Sequence, residues 1–218
     1  MIRLENVTKV FVLNGRRKVV ADNITAVFPS GTSVALLGRN GAGKSTLLQM
    51  IAGTADTTRG RITSTGSISW PVGFAGSFHP DLTGLQNVRF TGRIYGADTD
   101  ELVDFVEDFA DLGVHFRLPF RTYSAGMRSR LSFGLSMGIA FDTYLVDEVT
   151  AVGDAAFRDR STALFKARMA NAGAVVVSHS MGLVRQMCTA GAVLEQGHLT
   201  YYEDLDAAIN QHDRNMKG

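Results

Sequence analysis

What is scarce in this chain sets its first limits. Its 218 residues include a single cysteine, Cys188, so no disulfide can form within the chain and a reducing compartment is expected. The five histidines are scattered without the spacing of a structural metal site. Lys and Arg (22) nearly balance Asp and Glu (21), which leaves no overall field to attract nucleic acid or anionic lipid. The composition therefore weighs against a structural metal and against nucleic acid as a partner.

Long apolar runs are missing as well. No stretch approaches the length that a membrane-spanning helix needs, and the chain starts with an amphipathic strand pattern (Ile2, Leu4, Val7) instead of a charged and then apolar leader. We therefore expect a soluble or peripheral protein of one or two small domains. If it serves a membrane process, it must dock on a separate membrane-embedded chain.

One glycine-rich segment carries a strong functional signature. Residues 38–45 read GRNGAGKS, which fits the phosphate-binding pattern G-x-x-x-x-G-K-[ST]. An apolar strand at 33–37 precedes the segment, and a helix that ends at Gly53 follows it. Glycines let backbone N–H groups approach an anion, and the helix start adds partial positive charge. The pattern predicts a nucleoside-triphosphate site; the alternative is a plain turn between strand and helix.

Two side chains in this segment are predicted to act on the phosphates. We expect Lys44 to reach the terminal phosphates and the Ser45 hydroxyl to ligate a magnesium ion that bridges two of them. The remaining residues expected to contact the nucleotide here are Gly38, Arg39, Asn40, Gly41, Ala42, Gly43 and Thr46.

Two apolar strands later in the chain end in polar side chains. The first ends in Asp147 and Glu148, about where phosphate-loop enzymes carry the acid that holds magnesium. Asp147 is predicted to contact the ion, directly or through water, and Glu148 to orient or deprotonate the attacking water. His179 follows the second strand and is predicted to contact the terminal phosphate or that water. The alternative in each case is a strand that ends in an ordinary polar loop.

The alternation of strand and helix patterns predicts an α/β fold with a largely parallel sheet. Ahead of it, β-rich segments at 2–12 and 19–28 predict an antiparallel hairpin with a solvated turn at 14–18. Helical patterns between about 78 and 140 predict a helical insertion. Strands are expected at 61–63, 66–70, 143–146, 174–177, 192–194 and 199–202, and helices at 84–94, 99–112, 124–139, 155–170 and 181–187.

The order of these motifs resembles the nucleotide-binding subunit of ATP-binding cassette transporters over essentially the whole chain. In that family an LSGGQ signature at a helix start holds the terminal phosphate of ATP bound to the opposite subunit. The run 123–127 reads YSAGM here, so Ser124 and Gly126 match and the other three residues do not. The resemblance implies one cassette domain over 1–218, built as a phosphate-loop NTPase core with an antiparallel β subdomain and a helical insertion.

The departures from the signature are themselves similar to one branch of the family, the ATPases of Gram-negative capsular polysaccharide exporters. Further segments carry the same resemblance, namely ISWP at 68–71, LTG at 82–84, RIY at 93–95 and EVTAVGD at 148–154. The resemblance implies an ATPase that uses ATP and Mg²⁺ to export lipid-linked capsular polysaccharide. It also implies a head-to-tail homodimer on an integral-membrane permease, at the cytoplasmic face of the bacterial inner membrane. Periplasmic and outer-membrane export components are further expected partners.

Carried over position by position, the resemblance places Phe11 on the platform that stacks on adenine; a buried hairpin phenylalanine is the alternative. Asp154 corresponds to the acid of a loop that crosses the dimer interface. The usual glutamine between the subdomains has no clear equivalent at 73–77, and Gln86 lies too far on, inside a helix. The aromatic-rich segment 70–90 is expected either to dock a permease helix or to be ordinary core.

Three alternative functions stay open at this point. If the resemblance holds for the transporter family but not for the capsule branch, the cassette would serve the export of another cargo, such as O-antigen or teichoic acid. A soluble cassette ATPase working on ribosomes or DNA is disfavoured, because such proteins carry tandem cassettes, coiled coils or basic surfaces that this chain does not show. A nucleotide-binding regulator without hydrolysis is disfavoured by Glu148 beside Asp147.

Overall fold

The computed structural model describes residues 1–74, 76, 78–147 and 155–217, which fall into two compact units. The first unit takes its described residues from Met1–Pro71, Phe141–Glu148 and Met169–Gly218, and the second from Val72–Ala140 and Val149–Arg168. Two predicted site residues, Glu148 and Asp154, lie outside the described residues, as does part of the 73–77 segment.

The elements alternate between strand and helix over most of the chain, and two short 3-10 helices at Gly113–Arg117 and Phe120–Thr122 precede the fourth α-helix. In chain order they are β1 (Ile2–Leu13), β2 (Arg16–Phe28), β3 (Ser33–Leu37), α1 (Lys44–Ile51), β4 (Arg59–Ser64), β5 (Ile68–Pro71), α2 (Gly84–Ile94), α3 (Thr99–Ala110), α4 (Ala125–Gly138), β6 (Thr143–Asp147), α5 (Ala155–Met169), β7 (Gly173–Val177), α6 (Met181–Met187), β8 (Ala190–Glu195), β9 (His198–Tyr202) and α7 (Leu205–Lys217).

An antiparallel sheet of three strands, in the order β2-β1-β4, opens the first unit. The hairpin turns at Asn14 and Gly15, whose φ angles of 48° and 74° suit a two-residue turn between antiparallel strands. The predicted turn at 14–18 was therefore too long. Residues 16–18 belong to β2, and Lys18 pairs with Phe11 across the hairpin. The basic run thus extends a strand instead of forming a loop.

A second sheet of six strands follows the order β5-β6-β7-β3-β8-β9. Its neighbouring strands are parallel except for β8 and β9, so the prediction of a largely parallel sheet is confirmed. Strands β3 and β7 are buried along their whole length, as expected for parallel strands covered on both faces. Because β3, β6 and β7 run the same way, the segments that follow them meet at one edge of the sheet.

The core of the first unit fixes α1 between the two sheets. Leu47, Leu48, Met50 and Ile51 of this helix are buried in one apolar cluster with inward-facing residues of both sheets. Full burial of each such side chain stabilises the fold by about 1.5–3 kcal/mol. The start of α1, directly after the glycine-rich loop, is therefore held rigidly by apolar contacts.

The second unit packs its helices around aromatic side chains. The Phe109 ring lies 5.8 Å from that of Phe133 and 5.3 Å from that of Phe157, measured between centroids. Helix α2 begins with a capping box in which Thr83 and Gln86 bond each other's backbone N–H groups. Gln86 therefore lies inside a helix, as its sequence position indicated.

Helix α7 was not expected from the sequence. Its buried residues are Leu205, Ala208 and Ile209, all in the first half of the helix. The polar second half shows no apolar stripe, so periodicity gives no signal there. The predicted helices at 84–94 and 181–187, in contrast, coincide with α2 and α6.

Within the described ranges, no helix combines the length and the apolar character that crossing a membrane requires.

Cys188 follows α6, is 5% exposed, and has its pKa raised to about 12 by burial. Because the thiolate is the reactive form, the folded protein should resist a thiol reagent at pH 8, whereas urea-unfolded protein should release one equivalent of chromophore per chain. A colorimetric thiol assay in both states checks this. Equal reaction rates in the two states would contradict the buried position.

Candidate functional site

A cavity of about 570 Å³ opens at the carboxyl edge of the parallel sheet. The phosphate loop and the start of α1 form one side, and the hairpin β1–β2 and the end of β7 form the others. The cavity therefore brings together Phe11, His179 and six of the loop residues predicted from the sequence. Its lining consists of Phe11, Lys18, Val20, Asn40, Gly41, Gly43, Lys44, Ser45, Thr46, Val177 and His179.

Backbone N–H groups of the first turn of α1 face this cavity without partners inside the helix. Leu47 N–H makes the first intrahelical bond, to the Gly43 carbonyl at 2.9 Å, so the helix itself offers no carbonyl partner to the N–H groups before it. Gly43 occupies the cap position and has no side chain to bond them. The helix dipole adds partial positive charge here. This arrangement suits an anion such as a phosphate group.

Gly43 cannot be replaced without distorting this cradle. Its φ of 107° is one that side-chain-bearing residues rarely adopt, and a Cβ atom would lie 2.1 Å from Cγ1 of Val20. The hairpin strand β2 therefore packs directly on the loop backbone and sets its path.

The Lys44 side chain bonds to the backbone of its own loop. Its Nζ donates hydrogen bonds to the carbonyl oxygens of Gly38 at 2.7 Å and Arg39 at 3.0 Å. The ammonium thus lies across the loop with its side chain at the cavity wall. The four-carbon stem gives it the reach to exchange these carbonyls for a phosphate oxygen.

Arg39, Gly38 and Ala42 occupy the loop but are absent from the described residues that line the cavity. The Arg39 guanidinium instead contacts Glu195 at the end of β8 and the Asn215 carbonyl in α7. Ala42 N–H donates to the Arg39 carbonyl at 3.1 Å, which tightens the turn. These three residues shape the loop, and a direct contact of theirs with nucleotide stays a prediction.

Asp147 and His179 lie on neighbouring strands at the same sheet edge. Asp147, half-buried, ends β6 and pairs with Val177 of β7, while His179 is exposed two residues further on. The loop that holds His179 is ordered locally, because Ser180 N–H donates to Ser178 Oγ at 3.1 Å and Ser180 caps α6. The edge therefore carries one carboxylate and one imidazole beside the glycine-rich loop.

The oxygen donors at this edge suit a magnesium ion better than a softer metal. Ser45, exposed at the start of α1, offers a hydroxyl, and Asp147 offers a carboxylate. Among the residues whose placement is described, no group of three or more His, Cys, Asp or Glu side chains is arranged to hold a metal ion. A cation held here would take its other ligands from phosphate and water, which is the habit of Mg²⁺.

Ser124 and Gly126, also predicted to contact nucleotide, belong to the second unit. Ser124 caps α4, and its Oγ accepts a hydrogen bond from Met127 N–H at 3.2 Å. A Cβ at Gly126 would meet nothing nearer than that Oγ, at 3.9 Å, so the surface around it is open. Tyr123 is buried, and its hydroxyl donates to the His115 carbonyl at 2.7 Å. Burial raises the pKa of this phenol.

Phe11 is 38% exposed and lines the cavity, which excludes the alternative of a buried hairpin phenylalanine. Lys9 Nζ lies 5.0 Å from the centre of its ring. Three further lining residues, Lys18, Val20 and Val177, were missed by sequence reasoning. Residues 18 and 20 share one face of β2 and Lys18 pairs with Phe11, but this register becomes known only from the structure.

The aromatic-rich segment 70–90 contains both core and exposed aromatic side chains, and its docking of a permease helix stays a prediction. Trp70 packs edge-on against Phe141 in the first unit, and Phe78 against Phe120 in the second, so both are core residues. Phe74 and Phe90 are 51% and 55% exposed. Only these two remain available to a docking partner, among the four bulky aromatic residues at 70, 74, 78 and 90.

Comparison with known proteins adds a family and close relatives. Residues 21–151 match the family model described as "ABC transporter". The chain is 46% identical to the polysialic acid transport ATP-binding protein KpsT of Escherichia coli, over 97% of this chain and 96% of that protein. It is 41% identical to the capsule polysaccharide export ATP-binding protein CtrD of Neisseria meningitidis serogroup B, over 98% of this chain and 99% of that protein.

The solved structure of an ATP-binding subunit of an ABC transporter aligns with this chain over the full length of both, with a TM-score of 0.82 at 18% identity. The likeness concerns the fold. It confirms the predicted phosphate-loop NTPase core with an antiparallel β subdomain and a helical insertion.

Replacing Gly43 by Ala should abolish measurable nucleotide binding, because the Cβ would collide with Val20 and the φ of 107° would be strained. The double variant Gly43→Ala/Val20→Ala relieves only the collision, so affinity should recover in part. Titration with a fluorescent ATP analogue gives both affinities. Wild-type affinity in the single variant would contradict the cradle, and full recovery in the double variant would contradict the backbone argument.

Replacing Phe11 by Ala should weaken ATP binding by about tenfold or more, since stacking of a base on an aromatic ring is worth about 1–3 kcal/mol. Phe11→Trp should retain affinity. Val12→Ala is the matched control, because Val12 is exposed on the opposite face of the same strand. The same titration checks all three. Equal affinities for Phe11→Ala and Val12→Ala would refute a stacking role.

Proposed function

Since the chain belongs to the ABC transporter family, we propose that it is the ATP-hydrolysing subunit of an exporter of lipid-linked capsular polysaccharide. The observation that carries the proposal is the cavity, in which a glycine-rich loop, the N–H groups at the start of α1 and the Lys44 side chain converge. Identity of 46% and 41% to transport proteins named for polysialic acid and capsule supports the cargo.

The lining of the cavity suggests one orientation for ATP, with its phosphates at the glycine-rich loop and its adenine at the hairpin. Its phosphates would accept hydrogen bonds from the backbone N–H groups of Gly43, Ser45 and Thr46, with Lys44 exchanging the loop carbonyls for a terminal phosphate oxygen. The adenine would lie at the hairpin side of the cavity, against the exposed Phe11 ring. Asn40 and Gly41 complete the lining between these ends.

Mg²⁺ would be held by the Ser45 hydroxyl and the Asp147 carboxylate, together with phosphate and water oxygens. When bound, the ion neutralises charge on the terminal phosphates and favours attack at the last of them. Asp147, at the end of a buried strand, supplies a carboxylate whose backbone is fixed by pairing with Val177.

The attacking water requires a group that orients it and takes its proton. Glu148, which follows Asp147 in the sequence, is assigned this role, and His179 is assigned a contact with the terminal phosphate or the water. Neither assignment depends on the other, since the two residues follow different strands.

Two copies of the chain would complete the site. Ser124 and Gly126, at the open start of α4, would hold the terminal phosphate of ATP bound to the opposite copy, with Asp154 at the interface between copies. Closure around ATP and separation after hydrolysis would bias an open and closed equilibrium in a membrane permease. The exposed Phe74 and Phe90 are the candidate contacts for that permease.

The proposed place of action is the cytoplasmic face of the bacterial inner membrane, where the cassette would be peripheral. Periplasmic and outer-membrane components would carry the polysaccharide onward. A related cargo, O-antigen or teichoic acid, is the alternative that leaves every ATP-handling residue unchanged.

Replacing Glu148 by Gln should preserve ATP affinity and lower turnover by a factor on the order of 10²–10⁴, because the phosphate cradle survives while the water loses its base. Lys44→Ala is the contrasting variant and should weaken ATP binding itself. Phosphate release and nucleotide titration on both proteins separate the effects. Wild-type turnover by Glu148→Gln would show that this carboxylate does not act on the water.

In the bacterial host, replacing the native protein with Glu148→Gln should deplete surface capsular polysaccharide and accumulate it inside the cell. Immunoblots of surface and intracellular glycan, with expression of the variant confirmed, measure this. If another glycan accumulates, the cargo is wrong while the ATPase role stands. If no glycan is displaced, transport of polysaccharide is wrong.

A further inference from the structure

The phosphate loop is tied to the last helix of the chain through one side chain. The Arg39 guanidinium donates a hydrogen bond to the Asn215 carbonyl oxygen near the end of α7. Its Nε lies 3.9 Å from Oε1 of Glu195, the last residue of β8. Arg39 thus joins three elements of the first unit, namely the loop, the edge of the sheet and α7.

Both partners of this guanidinium are hydrogen-bond acceptors that favour a nearby cation. Asn215 lies in the final turn of α7, where carbonyl groups lack intrahelical donors and the helix dipole is negative. Glu195 has its second carboxylate oxygen, Oε2, buried without a hydrogen-bond partner among the described residues. The pair itself is partly exposed, so the charge of Arg39 adds only modestly to stability. Removing the Arg39 side chain would take away the donor that the structure provides to the Asn215 carbonyl and the cation beside Glu195.

The backbone of the same residue shapes the loop. The Arg39 carbonyl oxygen accepts from Lys44 Nζ at 3.0 Å and from Ala42 N–H at 3.1 Å. When Lys44 turns to a phosphate, one of these bonds is exchanged, and the position of residue 39 is then set by its side chain on α7. The loop conformation and the docking of α7 therefore meet at a single residue.

Helix α7 is held in place along both halves of its length. Its first half presses on the sheet so closely that a Cβ at Gly191 would lie 2.3 Å from the Cβ of Ala208. Gln211 Nε2 donates to Asn215 Oδ1 at 2.8 Å, which braces the last turn. The start of the helix is held by packing and its end by Arg39.

We propose that Arg39 is a positioning residue that couples nucleotide binding to the docking of α7. The inference rests on the proposed function, because it takes the nucleotide of the cavity to be ATP or ADP. Coupling is reciprocal: if a docked α7 holds the loop in its binding form, nucleotide must in turn hold α7 against the sheet. Helix α7 is then an accessory part of the nucleotide site that contacts no nucleotide.

The first test is amide hydrogen exchange of the full wild-type chain, with and without saturating MgADP. Nucleotide should slow exchange in the second half of α7, residues 211–217, by about fivefold or more, which is the low end of measured couplings between sites. Unchanged exchange of α7 in protein that demonstrably binds MgADP would overturn the coupling and leave the proposed function intact. Absence of MgADP binding by wild-type protein would overturn both.

The second test compares Arg39→Met, Arg39→Lys and Arg214→Met, the last being a matched control on an exposed residue of α7 that the structure gives no role. Arg39→Met should raise the KM for ATP by about fivefold or more, with a smaller effect on kcat, and should remove the MgADP response of α7. Arg39→Lys keeps one donor and should restore part of both.

The pattern of these variants decides between positioning and general stability. A role in stability alone would lower the unfolding midpoint of Arg39→Met but leave KM and the exchange response of folded protein as in Arg214→Met, and this result would overturn the proposal. If Arg39→Met does not fold, the exchange response of the wild-type chain to MgADP decides the proposal by itself.

Discussion

The nucleotide site depends on the N–H groups at the start of α1 that no helical carbonyl can satisfy. They make the loop before α1 an anion site only if the helix is fixed in direction and its entrance is free of side chains. Burial of α1 between two sheets meets the first condition, and glycine at position 43 meets the second. Without either, the same sequence would form an ordinary helix start that water satisfies.

The parallel sheet supplies what the helix start lacks. Strands β3, β6 and β7 end at one edge, so a carboxylate, an imidazole and the loop are neighbours although they are far apart in sequence. Fixed strands are precise carriers for such groups, because their backbone bonds are made within the sheet. The aromatic ring at the other end of the cavity, that of Phe11, belongs to the antiparallel sheet. The close approach of Val20 to Gly43 fixes the position of that sheet against the loop.

Features that depend on local pattern could be predicted from the sequence, and features that depend on distant contacts could not. The loop at 38–45, the strand before it and α2 with its capping box can each be recognised from a pattern of a few neighbouring residues. Lys18 enters the cavity only because the hairpin turns at Asn14 and Gly15, one register choice among several. The direction of the Arg39 side chain follows from a contact with Asn215, 176 residues away, which no local pattern records.

One departure from the family signature at 123–127, that at Tyr123, has a physical explanation. Tyr123 is buried, and its hydroxyl bonds the His115 carbonyl and lies against Gly84, where a Cβ would approach to 2.3 Å. The tyrosine therefore packs against the start of α2 directly before α4 begins. Ser124 and Gly126, which do match, face open surface at the helix start. The two matching residues thus lie where the proposed contact with a phosphate is sterically open, and the buried tyrosine fixes the start of the helix that carries them.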